Sequence, residues 1–121
     1  MPIEIQTEED FKELIANTDK LMIVDFHATW CGPCQAMKPV FAKVEKNFPS
    51  VKFVSVDVDK AQSVAQRYFI KSIPVLLLFK FGEIRGGVVG GQSETQIAEL
   101  LNNELDPKKP DSPNVASEPQ G

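Results

Sequence analysis

The sequence predicts an α/β domain, a mixed central β-sheet flanked by α-helices in the order βαβαβαββα. Three observations predict it. Apolar runs of strand length alternate with stretches of helical apolar spacing from residue 3 to residue 105. The first three strands are separated by helices, which calls for parallel pairing through right-handed crossovers. The last two are joined only by Phe81-Gly82, a hairpin signal that adds antiparallel pairing.

Each element has a local reason. Ile3 and Ile5 alternate with polar residues, as a short edge strand does. Thr7 followed by Glu8, Glu9 and Asp10 is an N-cap with an acidic first turn, and Phe11, Leu14 and Ile15 continue at helical spacing to Asn17. Residues 21–28 are almost continuously apolar, the pattern of a strand covered on both faces. Residues 33–47 place Met37, Val40, Phe41 and Val44 on one helical stripe that continues to Phe48, with Pro39 inside, where a kink is expected. Residues 51–58 alternate Val and Phe with Lys52, Ser55 and Asp57, and predict a strand; residues 61–68 predict a short helix. Residues 75–80 and 83–89 are the hairpin strands. Ser93 with Gln96 three positions on is a capping box, opening a helix to Leu105 with Ile97, Leu100, Leu101 and Leu105 on its apolar stripe.

Composition bounds the rest. With 121 residues the chain has room for one domain with a real core. Residues 1–105 are expected to form it. Residues 106–121 hold four of the nine prolines, and their only apolar side chains are Val115 and Ala116; a disordered, Pro-rich tail is expected. The net charge is −4, so there is no basic excess to neutralise nucleic-acid phosphates. The longest apolar run, residues 75–79, is far short of a membrane helix. The N-terminus has neither a basic region nor an apolar segment, so no secretory signal is expected and the chain reads as cytoplasmic. Two cysteines do not make a disulfide scaffold; in a reducing compartment such a pair is metal-binding or catalytic.

The sharpest chemical feature is Trp30-Cys31-Gly32-Pro33-Cys34, where a strand ends and a helix begins. Unpaired N–H groups and the positive end of the helix dipole there favour an anion, so the Cys31 thiolate should be stabilised. Pro33 fits a first turn, where a missing N–H costs nothing. Gly32 permits close backbone approach. Cys34 lies one turn along, within disulfide reach and deeper, which makes Cys31 the attacking sulfur and Cys34 the resolving one. The alternative is half a zinc site. Zinc needs four ligands at a structural site; the chain offers Cys31, Cys34 and its single histidine, His27, and a fourth would have to be a carboxylate or come from a second chain, so redox chemistry is the expected reading and no metal is expected.

At these residues the chain resembles the thioredoxin family. The match runs through Val24-Asp25-Phe26, Ala28, the whole Trp30-Cys31-Gly32-Pro33-Cys34 string, Lys38-Pro39, Ile73-Pro74, Phe79-Lys80, Gly82 and Gly90, and covers residues 1–105 nearly end to end. The resemblance implies the thioredoxin fold and a protein-disulfide reductase, a dithiol carrier with no bound cofactor. It further implies recharging by a flavin-dependent thioredoxin reductase using NADPH. The expected partners are that reductase and client proteins with disulfides, and a monomer is expected. The resemblance assigns Asp25, which interrupts an apolar run, to proton transfer with Cys34. It makes the Ile73-Pro74 bond cis and sets Ile73 against the cysteines. Trp30, Gly32, Pro33, Ile73, Pro74 and Gly90 then line an apolar contact surface, with Gly90 as a floor for client backbone and Trp30 as a partly exposed lid whose N–H is bonded locally. The sequence departs from the family pattern twice. A lysine often found near the buried carboxylate is here Ser55, with Lys38 within reach of the same region instead. A bulky aromatic position is here His27, expected to pack rather than to bind metal.

Overall fold

Helix starts are written into the caps. Thr7 is extended at φ −138° and its hydroxyl accepts the Asp10 N–H at 3.1 Å, which opens α1 (Glu8–Ala16). At the other end of the chain Ser93 Oγ accepts the Gln96 N–H at 3.1 Å, and Gln96 Oε1 accepts the Ser93 N–H at 2.8 Å. This reciprocal box opens α4 (Glu94–Leu105). The remaining elements of this computed structural model, which describes residues 1–106, are β1 (Ile3–Ile5), β2 (Met22–His27), α2 (Gly32–Glu45), β3 (Lys52–Asp57), α3 (Gln62–Arg67), β4 (Val75–Lys80) and β5 (Glu83–Val89). The expected tail, apart from Asp106, lies outside the described residues.

The sheet runs in the order β1-β3-β2-β4-β5. β1, β3 and β2 are parallel, β4 is antiparallel to β2, and β5 to β4. The hairpin turn carries φ 53° at Phe81 and 79° at Gly82. Both are left-handed, as a tight two-residue turn between twisted strands requires. Strand ends are trimmed against the sequence expectation. Leu21, Ala28 and Val51 are buried but fall outside the strands; α2 begins one residue earlier than expected, at Gly32, and ends at Glu45.

All six residues of β2 are buried, because helices cover both faces of the sheet at its centre. Met22, Val24 and Phe26 join Ile5, Phe11, Val54, Val56 and Val64 in one core, under α1 and α3. Ile23 points the other way, to Met37, Phe41, Phe53, Ile97 and Leu101 under α2 and α4. Strand alternation therefore puts Asp25 and His27 on the α2 face. Phe11 anchors the first core: it is 1% exposed and its ring meets Tyr68 and Phe79 edge-on at 5.9 and 5.8 Å. Phe11→Ala is expected to cost about 3–5 kcal/mol of stability, read from urea unfolding curves. A loss below about 1 kcal/mol would mean that this cluster does not hold α1 to the sheet. Among the described residues no helix is long and apolar enough to cross a membrane.

Candidate redox site

The site forms where β2 hands the chain to α2. Cys31 is the N-cap of α2, extended at φ −92°, and its Sγ accepts the Cys34 N–H at 3.2 Å. A sulfur thus takes the place that a serine or aspartate oxygen takes at other helix starts, facing the positive end of the dipole. Pro33 occupies the first turn, as expected. Cys31 and Cys34 are joined in a disulfide, their Cα atoms 5.3 Å apart. The burial asymmetry runs the expected way: Cys31 is 5% exposed and Cys34 0%. Gly32 differs from its expected use within the chain. A Cβ built on it meets nothing within 4 Å, so no part of the fold requires the close approach that glycine allows there.

The other walls come from the sheet end that carries Cys31. The Ile73-Pro74 bond is cis. The Ile73 carbonyl oxygen lies 3.9 Å from Cys31 Sγ, and Ile73 packs on the cluster of Ala28, Cys31 and Cys34. Gly90 follows β5 with φ +97°, and its N–H donates to the Pro74 carbonyl at 2.8 Å. A side chain there would be strained, which gives this glycine a structural reason. Trp30 is 69% exposed. Its indole N–H donates to Asp59 Oδ2 at 2.8 Å, a partner 29 positions away rather than within the turn. Sequence reasoning missed both Asp59 and Val58, which packs beside Ile73 against the cysteines. A signal for them existed. β2 and β3 are parallel with His27 opposite Asp57, so residues 58–59 leave β3 at the end where the chain leaves β2 toward Cys31.

Asp25 is 0% exposed, and neither carboxylate oxygen has a hydrogen-bond partner among the described residues. Burial pushes its carboxyl up from 3.8 to about 7; Lys38 pulls against that shift and Glu4 adds to it. A cavity of about 190 Å³ reaches the carboxyl, walled by Glu4, Lys38, Phe41, Ala42 and Ser55. Lys38 therefore takes the place expected for it, and Ser55 lies directly beside Asp25 in the β2–β3 register. His27 is 2% exposed, the packing histidine expected, with one addition: its Nε2 lies 3.1 Å from Glu4 Oε2.

The geometry joins a sulfur at a helix start, a buried second sulfur, a carboxyl poised near neutrality and a backbone carbonyl beside the outer sulfur. The chain is similar to known proteins in sequence and in fold. A family model described as thioredoxin matches residues 2–103. Thioredoxin-1 of Saccharomyces cerevisiae is 42% identical over 90 residues, which are 74% of this chain and 86% of that protein. Chloroplastic thioredoxin Y2 of Arabidopsis thaliana is 37% identical over 105 residues, 86% of this chain and 63% of that protein. The chain spans between 47% and 63% of the length of three curated relatives that it matches. Among solved structures, one from work on the thiol-resolving mechanism of a yeast mitochondrial 1-Cys peroxiredoxin, via the glutathione and thioredoxin systems, contains a similar chain. It superposes with a TM-score of 0.77 at 29% identity, covering 84% of this chain and 94% of that one. Motif, sheet order and matched span agree, and this chain belongs to the thioredoxin family.

Proposed function

We propose that this chain is a protein-disulfide reductase and dithiol electron carrier. The observation that carries the reading is the Cys31–Cys34 pair set on the first turn of α2, with the outer sulfur as N-cap. In the reduced protein the Cys31 thiolate attacks one sulfur of a client disulfide. That S–S bond breaks, a mixed disulfide forms, and the other client sulfur leaves as a thiolate. Cys34 then gives its proton to Asp25 and attacks Cys31 Sγ. The bond from Cys31 to the client breaks, and the client has gained two electrons while the Cys31–Cys34 disulfide re-forms. The electrons travel on the two sulfurs, so no bound cofactor is required.

Trp30, Gly32, Pro33, Ile73, Pro74 and Gly90 form the proposed contact surface, where the Ile73 backbone, its carbonyl beside Cys31 Sγ, would pair with extended client chain. An NADPH-dependent thioredoxin reductase is the proposed electron source, and proteins with accessible disulfides, peroxiredoxins among them, are the proposed clients. The chain is proposed to work as a monomer in the cytoplasm, where a lone dithiol stays available for exchange. Insulin reduction followed by turbidity, driven by NADPH and a thioredoxin reductase, tests the reading. Turnover is expected, and its absence with dithiothreitol as well would remove the reductase assignment.

The two sulfurs should also differ in reactivity. Brief iodoacetamide treatment of the reduced protein near neutral pH should label Cys31 at least about tenfold faster than Cys34, because the helix start stabilises its thiolate and Cys34 is sealed. Peptide mapping checks this, and faster labelling of Cys34 would reverse the assigned roles.

A further inference from the structure

The α2 face of the sheet carries a row of polar residues that the redox cycle described above does not use in full. Glu4 on β1, Ser55 on β3 and Asp25 on β2 stand in register across three strands. Two strand spacings, about 10 Å, separate β1 from β2. Ser55 is short, so the Glu4 side chain can cross over β3, and it ends on His27, with Nε2 and Oε2 3.1 Å apart. A carboxylate only accepts, so the imidazole donates from Nε2–H. His27 Nδ1 is buried without a partner among the described residues, which favours a lone pair there over an unpaired N–H. The histidine thus fixes the direction of Glu4, which lines the same cavity as Asp25 and Lys38.

We propose that Glu4, held by His27, is a positioning residue for Asp25: its carboxylate, opposed by Lys38 across the shared cavity, governs how readily Asp25 accepts the Cys34 proton. This rests on the role given to Asp25 above. Glu4 comes from β1, His27 from its own strand and Lys38 from α2; Met1 also lines the cavity, and its ammonium is paired with Glu45 Oε1 at 3.2 Å. β3 contributes Ser55 and, two positions on, Asp57, whose Oδ1 already accepts the Asp59 and Lys60 N–H groups at 2.9 and 3.3 Å. β4 places Leu76 opposite, without charge. A like charge disfavours ionisation of Asp25 and an opposite charge favours it. Glu4 and Lys38 therefore act in opposite senses, and loss of the His27 donor frees Glu4 to turn toward solvent.

The test is a ¹³C NMR titration of the Asp25 carboxyl in the disulfide form, paired with the pH profile of mixed-disulfide resolution by stopped flow. Glu4→Gln and His27→Phe should each lower the Asp25 midpoint by at least about 0.3 unit, roughly a twofold change in proton affinity, and Lys38→Met should raise it. Glu4 is 42% exposed on its side chain, so Glu4→Gln tests the charge without disturbing the core. An Asp25 midpoint unchanged in Glu4→Gln would overturn the proposal. A midpoint moved by Glu4→Gln but not by His27→Phe would remove His27 from it. If the carboxyl midpoint moves while the resolution profile does not, Glu4 does tune Asp25, and the assignment of Asp25 to Cys34 fails instead.

Discussion

Cys34→Ser should turn the protein from a catalyst into a trap. Cys31 keeps its N-cap position, because the helix start that stabilises its thiolate is backbone. The first attack on a client disulfide therefore proceeds. What is lost is the neighbouring nucleophile. In the wild type the second sulfur is built into the same helical turn, with its Cα 5.3 Å from that of Cys31, so resolution is intramolecular. Well-oriented intramolecular reactions reach effective concentrations that no external thiol at millimolar level matches, so turnover should fall by at least about 100-fold. The mixed disulfide should accumulate to one client per Cys31, visible by non-reducing electrophoresis and intact mass. Wild-type turnover of this variant with dithiothreitol would show that Cys34 does not resolve the intermediate.

Asp25→Asn should stabilise the fold and slow the redox cycle, and the two effects have one cause. The carboxyl is fully buried and its pKa is raised from 3.8 to about 7. An acid whose folded pKa lies above its unfolded value opposes folding where it must ionise. The opposition is absent below the unfolded pKa, grows as pH rises from about 3.8 to about 7, and is constant above that. Asparagine keeps the shape and removes the titration. Its stability gain should therefore be small at pH 4 and large at pH 8, with a ceiling of roughly 4 kcal/mol set by the size of the shift. The chemical loss falls on resolution. An amide cannot take the Cys34 proton, and loss of a positioned base costs on the order of 100-fold near neutral pH. Attack by Cys31 should be nearly unaffected. Unfolding curves at both pH values, with stopped-flow reduction of a model disulfide, separate the parts. Equal stability differences at pH 4 and pH 8 with an unchanged resolution rate would make Asp25 a structural bystander.

What was legible in the sequence follows what is local. The caps at Thr7 and Ser93 act within four residues, and both open helices where expected. The apolar run over residues 21–28 identified the central strand, because a strand covered on both faces is apolar on both sides, here broken only by Asp25 and His27, which stand beside Ser55 and Asp57 of β3. The dithiol was equally plain: its spacing is one helical turn and its place is a helix start. Strand ends were less legible, since pairing stops where the neighbouring strand stops; Leu21 and Ala28 are buried yet belong to no ladder. Contacts made by the crossovers escaped the sequence. Trp30 finds Asp59 across the parallel strands, and His27 finds Glu4 from the far side of β3, where Ser55 stands in register with Glu4. Ser55 stood out as a missing lysine; the space that it opens becomes visible only once three strands are set side by side.

The reduction potential of the Cys31–Cys34 couple, measured against glutathione by trapping and counting free thiols, tests the central claim most directly. A reductase must hand electrons to protein disulfides, so its own disulfide must be harder to reduce than those of its clients, and glutathione supplies the reference couple. The pair is expected to stay mostly a disulfide in a buffer poised at the standard potential of the glutathione couple. A pair that stays mostly dithiol there would be an oxidant of protein thiols, and the proposed direction of electron flow would be wrong.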